Sequence, residues 1–159
     1  DFAVLYRSNY YSRAFEQTLV NYRIPYVVYG GMKFFDRKEV KDSLAYLRLA
    51  LQENDTLAFE RIINVPRRGI GDKAMQSIKD GAKEKGISLY RYVKDYMSTN
   101  FRLKSFVDAV ENCKRKLNNK DEQNLGDVLK ELMSKVGYID YLIEYADNEI
   151  EIKKKEGLS

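Results

Sequence analysis

Apolar positions along this chain change their period once, near residue 37. Phe2-Ala3-Val4-Leu5 is a short continuous apolar run, the pattern of a buried parallel strand. Ser8 and Asn9 are good helix N-caps, and from there to Arg23 the side chains of Ala14, Phe15, Leu19 and Tyr22 are spaced for one helical face. Ile24-Pro25 stops that helix. Tyr26-Val27-Val28-Tyr29, β-branched and aromatic, predicts a second strand ending at Gly30-Gly31. The pattern is a small β-α-β unit, which belongs to an α/β sheet and cannot be complete by itself.

From Arg37 the period becomes helical and stays so. Val40, Leu44, Leu47 and Leu51 mark a helix over about 37–52, and Asn54-Asp55 breaks and recaps the chain. Further helices are expected over about 56–64, 73–85, 88–97, 102–118, 125–136 and 138–146, punctuated by Pro66, Gly86 and Asn118-Asn119. The tail from Asn148, with Lys153-Lys154-Lys155, has no apolar face and reads as frayed or cut mid-helix. The predicted fold class is mainly α with a small N-terminal β-α-β unit: a partial α/β domain followed by a helical bundle.

Composition narrows the chemistry. The 159 residues are one domain's worth, at most one and a half, and no run of 18 apolar residues suggests a membrane span. The chain opens on Asp1 in what reads as a strand, so a piece of something larger is expected. A single cysteine, Cys113, cannot close an internal disulfide and suits a reducing, cytoplasmic compartment. With no histidine, zinc sites, histidine acid–base catalysis and Ser–His or Cys–His nucleophiles drop out. The net charge is +4, but residues 81–120 hold ten basic and four acidic side chains, whereas residues 121–159 hold five and ten. That basic block is either a solvated helical face or an electrostatic footprint for nucleic acid.

Two glycine patterns resemble nucleotide loops and fail on context. Gly81 to Gly86 has phosphate-loop spacing, but Ile87 stands where lysine is required. Gly69-Ile70-Gly71-Asp72-Lys73-Ala74 matches a dinucleotide fingerprint yet follows a helix and Pro66, with no strand before it. The same glycines suit a helix–hairpin–helix layout through Pro66-Arg67-Arg68-Gly69-Ile70-Gly71. There the backbone can approach a partner closely, and a new helix presents unsatisfied N–H groups to an anion. Arg67, Arg68 and Lys73 surround that spot with positive charge, which a DNA phosphate would suit. An ordinary turn with solvated arginines is the competing reading. A second candidate is Tyr6-Arg7 at the carboxyl end of the first strand, where open α/β sheets bind ligands. A ring beside a guanidinium could stack on a base and grip a phosphate there, or the pair is simply a surface turn.

Longer runs carry a family likeness. Ala3-Val4-Leu5-Tyr6-Arg7-Ser8-Asn9, Ser12-Arg13 with Phe15-Glu16, Ile24-Pro25-Tyr26, Phe34 to Asp42, Leu44 to Arg48 and Arg61 to Gly71 together resemble motif IV and its surroundings in UvrD/PcrA/Rep-type superfamily 1 DNA helicases. The first 75 residues or so carry the likeness, and Ser134-Lys135-Val136-Gly137-Tyr138 is the best later fragment. The resemblance implies that residues 1–52 begin a second RecA-like motor domain. Residues 53–159 would lead into the helical accessory domain inserted within it, with a boundary anywhere from 53 to 105. It also implies that Tyr6 stacks on the ATP adenine, that Arg7 reaches the γ-phosphate, and that Gly69-Ile70-Gly71 touches duplex DNA near the fork.

The parent would then be an ATP-dependent 3′–5′ DNA helicase, with roles in repair and in replication both open. Its ATP and Mg²⁺ would be held mostly by parts outside this chain, because no Walker A lysine or Walker B acid pair is found here. The chain alone is expected to be catalytically inactive. Its partners would be duplex or junction DNA, bound without regard to sequence, and the remaining helicase domains. The alternatives from the residues are a stand-alone helix–hairpin–helix DNA-binding module and a helical protein-interaction domain.

Overall fold

Capping chemistry sets several of the helix ends. The computed structural model describes residues 2–6, 11–29, 34–119 and 124–155, with 149–155 described by backbone alone. Eight α-helices lie among them: α1 (Ser12–Asn21), α2 (Lys38–Leu51), α3 (Thr56–Ile62), α4 (Asp72–Lys85), α5 (Leu89–Tyr96), α6 (Phe101–Asn118), α7 (Leu125–Lys135) and α8 (Tyr138–Lys155), with a 3₁₀ turn at Phe34–Asp36. Asp55 caps α3 by accepting from the Ala58 N–H, and Ser88 caps α5 by accepting from Arg91. Asn100 and Asn124 do the same for α6 and α7. Gly86 ends α4 in the left-handed conformation. The tail from Asn148, read as either frayed or cut mid-helix, is helical to Lys155, so fraying does not begin at Asn148. Among the described residues, no helix is long and apolar enough to cross a membrane.

The chain divides into two compact units, residues 1–41 and 42–159. In the first unit, the segments expected as strands carry no regular secondary structure, and no strand forms among the described residues. A buried parallel strand needs neighbours to complete its ladder and layers to cover its faces. Here Phe2, Val4, Leu5 and Val27 are exposed instead. Helix α1 also departs from its sequence pattern. Its buried side chains are Ser12 and Glu16, while Phe15, on the expected apolar face, is 45% exposed. The polar side chains face inward because they have partners there. Glu16 Oε2 accepts from the Phe34 N–H at 2.9 Å and the Tyr26 hydroxyl at 3.3 Å, and Arg37 donates to Ser12 Oγ at 3.2 Å. The Phe34 ring lies between the guanidinium groups of Arg13 and Arg37, at 5.0 and 5.5 Å. The caps Ser8 and Asn9 and the glycine pair Gly30-Gly31 lie outside the described residues.

The second unit is a helical bundle with one core. Tyr46 of α2, Phe59 of α3, Ile78 of α4, Tyr90 of α5, Phe106 of α6, Leu132 of α7 and Tyr138 of α8 are all buried in it. Tyr46 meets Phe106 and Tyr138 edge to face, and Tyr90 meets Phe106 likewise. Asp42 is buried but satisfied: the Tyr138 hydroxyl donates to it at 2.6 Å and Arg61 Nε at 2.7 Å. Gly81 lies inside α4, where an added Cβ would fall on the Tyr92 ring, so this glycine serves helix packing and not a phosphate loop.

Helices α6 and α7 are also linked at the surface. Glu131 accepts from Lys116 of α6 and, at 2.7 Å, from Lys135 of its own helix. These two ammonium groups hold its carboxyl down to about 2, below the ordinary range near 4.5. A carboxylate whose pKa is lower folded than unfolded stabilises the fold fully above the unfolded value, and loses that contribution as pH falls through the folded one. The Tm advantage of the unmodified chain over Glu131→Gln is therefore expected to shrink steadily from about pH 4.5 to pH 2. Thermal melts across that range check it, and a constant difference would show that the carboxylate is not held this way.

Candidate nucleic-acid interface

Helix α3 ends at Ile62, and the chain turns through a cis Val65–Pro66 bond before α4 starts at Asp72. Asn64 organises this turn. Its Oδ1 accepts from the Arg68 N–H at 2.7 Å and from the Ile70 N–H at 3.4 Å. Exposed and buried positions alternate along residues 67–71. Arg67, Gly69 and Gly71 are exposed, whereas Arg68 and Ile70 are buried.

Arg68 is only 6% exposed and does not face solvent as the expected phosphate contact would. Its Nη1 donates to the carbonyls of Ile62, Ile63 and Pro66 at 3.0, 3.2 and 3.2 Å. Its Nη2 donates to the Tyr46 hydroxyl at 2.9 Å and to the Val136 carbonyl at 3.2 Å. The guanidinium carbon lies 4.8 Å from the centre of the Phe106 ring. Ile62 and Ile63 end α3, and Val136 is the C-cap of α7. The cation thus neutralises the negative ends of two helices, which explains how it is buried without a carboxylate partner. Burial pushes the Tyr46 hydroxyl up to about 12, even with Arg68 beside it pulling down. Ile70 is likewise a core anchor and not a surface contact.

The outward residues make a different set. Gly69 sits at φ +81°, a conformation that other side chains enter only with strain. Gly71 is the N-cap of α4 and has no side chain to accept from the first N–H groups of that helix. Arg67 and Lys73 are exposed beside them, and among the described residues neither has an acidic partner within 4 Å. Asp72, also exposed in the first turn, subtracts one charge from the patch. The arrangement can hold an anion through backbone N–H groups and two mobile cations. Sequence reasoning missed Asn64 as the organiser of the turn.

The other expected site lies in the first unit. Tyr6 is half-buried at the end of the segment 2–6, and Arg7 lies outside the described residues. No three acidic, cysteine or histidine side chains converge to hold a metal ion among the described residues.

Comparison with known proteins decides the family. The UvrD-like helicase C-terminal domain matches residues 1–158. The chain belongs to that family. It is 37% identical over 147 residues to DNA helicase II of Rickettsia typhi, an alignment covering 89% of this chain and 22% of that protein. Against the ATP-dependent DNA helicase PcrA of Bacillus subtilis it is 35% identical over 145 residues, covering 89% of this chain and 20% of that one. DNA helicase II of Haemophilus influenzae is 52% identical over 93 residues, 58% of this chain and 13% of that protein. This UvrD-like chain therefore spans about a fifth of the length of such relatives.

Proposed function

We propose that this chain is a segment of an ATP-dependent DNA helicase that moves 3′–5′ and unwinds duplex DNA. In this reading residues 1–52 begin the second motor domain and residues 53–159 lead into its inserted helical domain. Tyr6 and Arg7 contact ATP, with Tyr6 against the adenine and Arg7 at the γ-phosphate. The turn before α4 contacts duplex DNA through phosphates, without regard to sequence. The chain by itself hydrolyses no ATP, since it lacks the phosphate cradle that phosphoryl transfer needs. The observation that supports this reading best is the pairing of glycine backbone at the uncapped start of α4 with two exposed cations, Arg67 and Lys73, that have no acidic partner among the described residues.

The salt dependence of duplex binding tests it. Each phosphate contact contributes about −0.9 to the slope of log affinity against log salt. Arg67→Ala and Lys73→Ala should each flatten that slope by about one unit, and together by about two. Gly71→Val probes the backbone approach cleanly. A Cβ at Gly71 meets nothing within 4 Å, and its φ of −86° suits any residue, so the variant should fold. It is expected to lose about tenfold or more in duplex affinity, roughly one lost hydrogen bond to a charged group. Unchanged slopes and an unchanged Gly71→Val affinity would reduce the turn to a helix connector.

A further inference from the structure

A second basic feature lies beside the turn, in a cleft of about 270 Å³. Its walls are the turn at Arg67 and Arg68, the start of α6 at Phe101, Arg102 and Ser105, and the α7–α8 corner at Lys135 to Gly137. No acidic residue lines it. Arg102, like Arg67, is exposed and has no acidic partner within 4 Å among the described residues. Lys135 is shared with Glu131 but remains half in solvent. At the rim stands Phe101, 83% exposed, which also lines an adjoining hollow with Lys104 and Lys135.

We infer that this cleft binds an unpaired nucleotide of a DNA junction, with Phe101 stacking on the base and Arg102, Arg67 and Lys135 holding the flanking phosphates. An exposed aromatic ring recognises the flat face of a base only where that face is not already stacked inside a duplex. Solvent-exposed cations then suit the backbone on either side of that base. The helix start does not itself supply the anion site. Asn100 Oδ1 already accepts from the Arg102 and Leu103 N–H groups, so side chains must hold the phosphates. This inference rests on the chain binding DNA, as proposed above, but not on the turn contact at Gly71.

The chain contains no tryptophan, so Phe101→Trp installs a single fluorescent reporter at the rim. It is titrated with a duplex carrying a single-stranded tail and with a relaxed, covalently closed circular duplex that has no ends and no unpaired bases. The expected result is quenching by the tailed duplex and none by the closed one. In the same background, Arg102→Glu should weaken tailed-duplex binding about tenfold or more, with under twofold change on closed duplex. Phe101→Ala, read by anisotropy of labelled DNA, should show the same selectivity and keeps the test valid if the reporter perturbs the rim. Gly71→Val, outside the cleft, should leave the quenching by saturating tailed duplex unchanged.

No quenching, equal losses on both DNA forms, or quenching by a polyglutamate peptide in place of tailed DNA would overturn the cleft. If the Gly71 and Arg67 variants are silent on closed duplex while the cleft variants lose the tail, the turn contact falls and the cleft stands. Failure to bind any DNA overturns both.

Discussion

Arg68→Met should destabilise the chain by about 3–5 kcal/mol, because it strips the donor from several buried hydrogen bonds at once. For a chain of this size that is a Tm drop of roughly 10 °C. The guanidinium is the shared donor for carbonyls at the ends of α3 and α7 and for the Tyr46 hydroxyl. Methionine fills much of the volume but donates nothing, so several buried acceptors lose their partner at about 1–3 kcal/mol each before relaxation. Arg68→Lys should recover only part of the loss. One ammonium cannot reach acceptors spread around a planar fork, and it stacks less well on Phe106. Arg67→Ala, the neighbouring change, should stay within about 0.5 kcal/mol because its side chain is solvated. Chemical denaturation of the three variants decides the matter. If Arg68→Met were nearly neutral for stability yet weakened DNA binding, the inward placement of this guanidinium would be wrong.

The largest effect on rate is expected at Arg7. In the full-length protein, Arg7→Ala should cut ATP turnover by about 10³–10⁵-fold while leaving DNA affinity nearly intact, as removal of a guanidinium from a transferring phosphoryl group does. Tyr6→Ala should act on binding instead, raising the Kd for ATP by about 1–3 kcal/mol if its ring stacks on the adenine. The two variants thus separate a charge that acts in the transition state from a surface that acts in the ground state. Steady-state hydrolysis with and without DNA, together with a direct nucleotide titration, measures both. Turnover of Arg7→Ala within twofold of the unmodified enzyme would remove Arg7 from the phosphate.

Much of the helical unit was legible from residues alone, for a local reason. Helix ends depend on groups within a turn of one another. Asp55, Ser88 and Gly86 therefore announced their boundaries before any packing was known. The family likeness was legible for a similar reason, since ordered runs such as Phe34 to Asp42 and Arg61 to Gly71 need no tertiary context to be compared. The turn before α4 could be located in the same way, because Pro66, Gly69 and Gly71 mark a break between helices whatever surrounds them.

Which way side chains face was decided by packing. Arg67 and Arg68 are identical residues one position apart, and nothing short-range tells which enters the core. The choice is made by two helix ends, α3 and α7, that need a donor at one point, and by Phe106 from a third helix beneath it. In α1 the apolar face at Phe15 was the expected interior, yet Ser12 and Glu16 turn inward because Arg37, Tyr26 and the Phe34 N–H supply their hydrogen bonds. The segments at the start of the chain have strand sequences but no ladder among the described residues. Backbone pairing lies between strands, so β-branched residues signal a capacity that only a neighbour can realise. Sequence by itself determined most of the helices, some of their caps and the family likeness; tertiary structure alone decided which charged side chains are buried to hold helices together and which remain in solvent.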